Sequence, residues 1–203
     1  MAAWKAHAWE YGKTLVFAVL LALVIRTFVV QAFHIPSGSM IPTFLEGDRV
    51  LVSKFAYGLR NPFTNEVIFG RGRPERGDVV IFKFPENPKV DFVKRVVGLP
   101  GDRLQVADGR VLINGVPIPD PHGHYDNPYP LGSRNFGPVT VPDNQYFMMG
   151  DNRDFSNDSR SWGFVDASLL RGKAWRLYFS WDSTSGLPLT KRLRLDRLGL
   201  KIR

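Results

Sequence analysis

Residues 110–118 read RVLINGVPI. Asn114-Gly115 stands between two apolar arms, which is the strongest short-range hairpin signal. Outward from it, similar runs recur on both sides. RVLVSKFAY (49–57), DVVIFKF (78–84) and VDFVKRVVG (90–98) precede it, and QYFMMG (145–150) and AWRLYFSW (174–181) follow. They are short, β-branched or aromatic, and split by Gly, Pro, Asn and Asp, as strands and turns require. The expected fold is mainly β: an antiparallel, hairpin-rich domain over residues 35–190. Residues 119–144 (PDPHGHYDNPYPLGSRNFGPVTVPDN) are too rich in Pro and Gly to continue a sheet. They are expected to form a surface loop or lid, with room for a hairpin of its own.

The chain has 203 residues, which suits one domain, or one domain plus an anchor. Its 44% hydrophobic and 13% aromatic content excludes a disordered chain. Fifteen Pro and 19 Gly argue against a helical bundle. With no Cys there is no disulfide framework, thiolate metal site or Cys nucleophile. The net charge of +8 points first to nucleic acid, but its distribution argues otherwise. Residues 1–34 carry +2, the tail KRLRLDRLGLKIR (191–203) carries +5, and the body is left with +1. A nearly neutral body offers no basic face to a phosphate backbone, so no nucleic-acid partner is expected.

One end of the chain reads as a membrane segment. Thr14 to Phe33 is TLVFAVLLALVIRTFVVQAF, with 16 of 20 residues apolar. Twenty helical residues rise about 30 Å, the thickness of a bilayer core. The expected anchor is 14–34, behind a short cytoplasmic N-terminus at 1–13. Lys5 and Lys13 favour that orientation. Arg26 is the defect, remedied by shifting the helix toward its N-terminus so that the guanidinium reaches the outer surface. A cleaved signal peptide fits less well, because large Phe33, His34 and Ile35 crowd a cut after Ala32. A buried core helix is the remaining alternative. One span is expected. The aromatics Phe55, Tyr57, Phe63 and Phe69 either dip into the bilayer or close the core. The tail is expected within reach of anionic headgroups.

Three segments carry chemistry. IPSGSMIPT (35–43) sets two serines around a glycine, between prolines that stiffen the turn. Alone it reads as an ordinary surface turn. In DFVKRVVGLPGD (91–102), strand alternation puts Lys94 on one face with Phe92 and Val96. Desolvation there lowers a lysine's pKa and makes it a general base; without a serine partner, it is a lysine with a buried stem. GDNRDFSNDSR (150–160) packs three Asp, two Asn, two Arg and two Ser into 11 residues. It reads as a hydrogen-bonded network or as a solvated turn; it does not meet the calcium-loop template. Histidines occur only at 7, 34, 122 and 124, so a Ser-His-Asp triad has no oriented base. His122 and His124 alone make a weak metal site. A Ser-Lys dyad is the best catalytic reading.

Together these segments resemble bacterial type I signal peptidases. The family's S-G-S-M-x-P-T box stands here as Ser37 to Thr43, and its K-R-x-x-G-x-P-G-D box as Lys94 to Asp102. Its G-D-N-R-x-x-S-x-D-S-R box stands as Gly150 to Arg160, and R-G-D-h-V-x-F as Arg76 to Phe82. The boxes follow the family's order behind an apolar helix, over roughly residues 14–180, and leave the tail outside. Phe44 stands where the family commonly has leucine. The resemblance implies a membrane-bound serine endopeptidase that cuts signal peptides from exported preproteins. Ser39 is then the nucleophile and Lys94 the base. The oxyanion falls to the Ser39 N–H and the Ser37 hydroxyl, Ser156 orients the lysine, and Asp158 with Arg160 supports the loop. Walls for small residues at the −1 and −3 positions fall to Phe33, Ile35, Pro36, Met40, Ile81, Phe92 and Val93, with Asp91 beside them. No metal or organic cofactor is implied. The expected partners are preproteins and membrane lipid. The expected state is a monomer in the bacterial cell membrane, with its catalytic domain outside. A dedicated Ser-Lys peptidase for one substrate and an inactive, anchored homologue are the alternatives.

Overall fold

The computed structural model describes residues 2–60, 67–70, 72–125, 133–182, 186, 188 and 192–203. A first helix, α1 (Ala2–Val24), runs into a wider helical turn at Ile25–Val29. Thirteen strands follow among the described residues: β1 (Val30–His34), β2 (Asp48–Ser53), β3 (Leu59–Arg60), β4 (Val67–Phe69), β5 (Val79–Phe84), β6 (Asn87–Gly98), β7 (Arg103–Ala107), β8 (Arg110–Ile113), β9 (Val116–Pro117), β10 (Phe136–Thr140), β11 (Gln145–Met149), β12 (Val165–Asp166) and β13 (Leu170–Ser180). The main sheet has seven strands in the order β1-β2-β13-β5-β6-β11-β12, every pair antiparallel. A second sheet runs β10-β7-β8-β9, and β3 pairs with β4. The mainly antiparallel β architecture is the one expected.

The hairpin at 110–118 forms as read. Ile113 pairs with Val116 across Asn114 (φ 54°) and Gly115 (φ 81°), the two positive φ angles of a type I′ turn. In β7 and β8, Leu104, Val106, Val111 and Ile113 are buried while Arg103 and Arg110 face out, the alternation of a one-sided sheet. These four pack with Val97, Phe147 and Met149 of the main sheet. β5 instead is buried on both faces. Val79 and Ile81 join one core with Ile35, Met40, Phe44 and Leu177, and Val80 and Phe82 join another with Val96 and Met148. That is why DVVI is apolar without alternation.

Two expectations change. Residues 14–33 do not form one helix: Val30–His34 leaves it as β1, and Phe33 pairs with Val50 of β2. A β-branched pair at Val29 and Val30 meets an open sheet edge there, and pairing outweighs continued winding. The stretch long and apolar enough to cross a membrane becomes Trp9–Val29, with mean hydropathy 2.0 and none of it buried. Arg26 then falls in the last helical turn and is exposed.

The described part of the tail is also not a free basic arm. Leu177 N–H donates to the Leu200 carbonyl (2.9 Å), Gly199 N–H to that of Leu177 (2.8 Å), and Ile202 enters the core. Arg197 grips buried Asp48, with Nη2 at 2.6 Å and Nε at 3.2 Å from its two oxygens. Arg194 pairs with Asp182 at 3.0 Å. Much of the tail's charge is therefore spent within the fold.

The 119–144 excursion supplies β10 to the second sheet, and its residues 126–132 lie outside the description. Its described part packs on the 150–155 loop: the His124 N–H donates to the Asp151 carbonyl at 2.7 Å. Of the four aromatics, Tyr57 is buried and donates to Asp78 (2.9 Å), while Phe55 is exposed. Phe63 and the Phe69 side chain lie outside the description.

Candidate active site

Ser39 sits in a single helical turn, Gly38–Met40, entered from extended Ser37. Met40 and Phe44 are wholly buried on one side of this turn and anchor it to the core. On the other side the 150–160 loop clamps it. Asn152 donates its main-chain N–H to the Ser39 carbonyl and its amide to the Gly38 carbonyl, both at 3.1 Å. A serine held by packing below and hydrogen bonds beside it keeps one geometry.

Lys94 lies in β6, almost wholly buried, and its Nζ is 2.6 Å from Ser39 Oγ. The Phe92 ring lies 5.5 Å from the ammonium. Burial is the largest influence on this amine and lowers its pKa to about 8; Asp158 and Asp151 pull it back up, and Arg160 pushes it down. Near neutral pH a substantial minority of the amine is therefore uncharged and able to take a proton.

The loop beside this pair is a network of ion pairs. Asp158 and Arg160 form a buried two-point pair, with both contacts at 2.8 Å, and Asp158 also accepts the Gly150 N–H at 3.1 Å. The other carboxylates recruit partners from elsewhere. Asp151 is held by Arg95 at two points, each 2.7 Å, and accepts the Thr43 hydroxyl at 2.5 Å. Asp154 takes Arg134 at 2.8 and 3.1 Å. Asp120, in the Pro-rich excursion, takes fully buried Arg153 at two points. Each buried charge thus meets a counter-ion rather than standing alone. Arg95 also donates to the main-chain oxygens of Gly77 (2.6 Å) and Arg203 (2.9 Å), so the tail braces the same pair.

A cleft of about 600 Å³ opens over Ser39 and Lys94. Of the residues expected to surround a substrate, Ser37, Pro36, Asp91, Phe92 and Val93 line it. Ile35, Met40 and Ile81 do not: they are buried behind Val93, with Phe33 packed on the same cluster. Alternation on β5 and the turn at Ser39 send these side chains inward, so they back the cleft rather than wall it. Asp91 is drawn toward Arg171 at 3.3 Å. Ser156 is buried close to the pair, but its hydroxyl has no hydrogen-bond partner among the described residues, Lys94 included. No described residue of the excursion lines the cleft. The His124 main chain pairs with those of Asp151 and Arg153, neither His122 nor His124 lines the cleft, and no cluster of three metal-ligating side chains occurs among the described residues.

Asn152, Arg95, Asp151 and Gly150 carry more of the site than their sequence context shows. A methyl on Gly150 would collide with Ser156 Oγ and the Ser39 carbonyl oxygen, so only glycine lets the loop approach the turn. Arg95 and Asp151 adjoin the lysine and the loop glycine in the quoted boxes, which is the one sequence signal they carry. Asp120 with Arg153 and Arg134 with Asp154 carry none, because their pairing depends on the fold.

A hydroxyl within proton-transfer distance of a desolvated amine, on the floor of an open cleft, is the equipment of a serine peptidase that works without histidine. A sequence model of the family described as signal peptidase, peptidase S26, matches residues 8–179. The chain is 39% identical over 223 aligned positions to a signal peptidase I from Pseudomonas fluorescens, covering 92% of this chain and 78% of the relative. It is 42% identical over 170 positions to a probable signal peptidase I-2 from Synechocystis sp., covering 81% and 70%. A solved signal peptidase I from Enterococcus faecalis is 31% identical and overlays 50% of this chain and 96% of that one, with a TM-score of 0.42. The chain belongs to the signal peptidase family, peptidase S26, and is a serine peptidase of that family.

Proposed function

We propose that this peptidase is anchored in the bacterial cell membrane by α1 and removes N-terminal signal peptides from exported preproteins by a Ser-Lys dyad. The observation that carries the reading is the 2.6 Å contact between Lys94 Nζ and Ser39 Oγ on the cleft floor. In the uncharged amine the contact runs the other way: the hydroxyl donates to Nζ. Ser39 Oγ attacks the scissile carbonyl as Lys94 takes its proton. The tetrahedral oxyanion is met by the Ser39 N–H and the Ser37 hydroxyl. Lys94 returns the proton to the departing amine, leaving an acyl-Ser39. Water, deprotonated by Lys94, then hydrolyses the ester and frees Ser39.

The substrate enters as a strand. β11 pairs with β6 only at Arg95, Val96 and Gly98, so the 90–94 stretch keeps one open edge along the cleft. A signal peptide adds to that edge, and its small −1 and −3 side chains fall against Pro36, Phe92 and Val93. Ile35, Met40, Ile81 and Phe33 set pocket depth from behind. Asp158 and Arg160 hold the loop, and Ser156 meets the lysine when substrate is bound. Lys5 and Lys13 place the N-terminus in the cytoplasm, with one span and the catalytic domain outside. The enzyme acts as a monomer.

The test uses purified full chain in detergent and a preprotein with an Ala-x-Ala site, beside Ser39→Ala and Lys94→Ala. Cleavage at that site by the wild type and by neither variant is expected. Processing that survives either substitution refutes the dyad.

A further inference from the structure

A second cavity, about 490 Å³, opens where α1 meets the sheet. Val29 from the end of the helical segment, Val30 from the start of β1, Phe55, Trp175, Val79 and Ile202 wall it. It shares no residue with the catalytic cleft. Phe55 is 55% and Trp175 45% exposed, so the rim is open and apolar. An aqueous surface rarely leaves such a mouth uncovered without a ligand or partner.

The charges around it are one-sided. Lys173, Lys201, Arg203 and Asp78 line the cavity. The carboxylate of Asp78 is already held by Lys173 at 2.5 Å and by the Tyr57 hydroxyl at 2.9 Å. Lys201 and Arg203 are exposed and have no acidic partner among the described residues. Lys54, between lining residues Ser53 and Phe55, donates to the Thr27 carbonyl at 2.8 Å, and Arg26 lies exposed one residue before it. The site therefore joins an apolar groove to unpaired cations, at the foot of a helix suited to hydrocarbon.

We infer that this cavity seats one anionic glycerophospholipid, with an acyl chain along Val29, Val30, Phe55 and Trp175 and its phosphate between Lys201 and Arg203. The inference rests on α1 being a membrane anchor, because the anchor is what holds the cavity at headgroup depth. A zwitterionic lipid offers the same chain but no net charge to the two cations. Free phosphate offers the charge but no chain.

Native mass spectrometry of the detergent-solubilised full chain reads the site directly, with phosphatidylglycerol and phosphatidylcholine titrated separately. One phosphatidylglycerol should be retained at about thirtyfold lower lipid concentration than phosphatidylcholine, the scale expected of two cations near an anionic headgroup. The double variant Lys201→Glu/Arg203→Glu should bring the two lipids to within about twofold. A thermal unfolding midpoint equal to the wild type's would show that it folds. Millimolar inorganic phosphate should not displace the retained lipid. Equal retention of both lipids by the wild type, a preference that survives the charge reversal, or displacement by phosphate alone would each overturn the inference. Flotation of the full chain on phosphatidylcholine vesicles tests the anchor separately. Failure to float removes the anchor reading; flotation without lipid preference removes only the lipid seat.

Discussion

The most apolar stretch of this chain is its least buried, and one of its most polar stretches is among its most buried. Residues 9–24 are exposed throughout, whereas Asp151, Arg153, Asp154 and Asp158 have no exposed surface at all. Burial here follows partners rather than hydropathy. The loop's charges each meet a counter-ion at two points, and their desolvation is offset pair by pair. Residues 14–24 carry no charge and are apolar all round, the composition of a helix suited to hydrocarbon. Lys94 belongs to neither pattern. It is a buried cation whose close contact is a hydroxyl rather than a carboxylate, and burial lowers its pKa to about 8.

The sharpest test separates Lys94 from its satisfied neighbours. Lys94→Met should lower kcat/KM by at least about 10³-fold. The same change should raise stability near pH 7 by on the order of 3 kcal/mol, read from urea unfolding, because the folded pKa of about 8 lies below the ordinary 10.5. The sign follows from proton counts. Between about pH 8 and 10.5 the unfolded lysine binds more protons than the folded one, so this group's cost is full below that window and relieved as pH rises through it. A variant less stable than the wild type near pH 7 would contradict the account.

Arg95→Ala should do the opposite. Stranding the buried Asp151 carboxylate costs about 3–5 kcal/mol, visible as a lower urea midpoint, with Arg95→Lys intermediate. A change below 1 kcal/mol would show that the loop is not held by its pairs. Gly150→Ala pushes the loop off the Ser39 turn, and about 10²-fold lower kcat is expected with KM little changed. Asp158→Asn removes the carboxylate that most raises the lysine pKa and frees Arg160, which lowers it. The rise of kcat/KM with pH, centred near 8 in the wild type, should therefore move to lower pH; a move upward would break the assignment. The smallest effect belongs to the helix. Leu20→Ala should leave the unfolding midpoint in detergent within about 0.5 kcal/mol, because Leu20 packs against nothing in the protein.

What could be read in advance divides along the same line. Strand runs, the Asn114-Gly115 hairpin and the apolar helix are local patterns, and they appear as read. The limits of the helix and the role of the tail were not legible. Val30–Phe33 is equally good helix or strand by composition, and β2 decides it. Arg197 looks like surface charge until Asp48 is found beneath it, 149 residues away along the chain. The boxes singled out Ser39 and Lys94, which the fold brings to 2.6 Å. The clamp on Ser39 by Asn152 and the inward turn of Ile35, Met40 and Ile81 were not.

By itself the sequence determined the fold class, the family and the two residues able to exchange a proton, because periodicity, turn chemistry and short boxes are local. The tertiary structure alone decided how Lys94 is desolvated, which arginine answers which aspartate, and where the tail's charge goes. Those are pairings across sheets and loops, and a pair's energy depends on distance and solvent exclusion, which the order of residues does not encode.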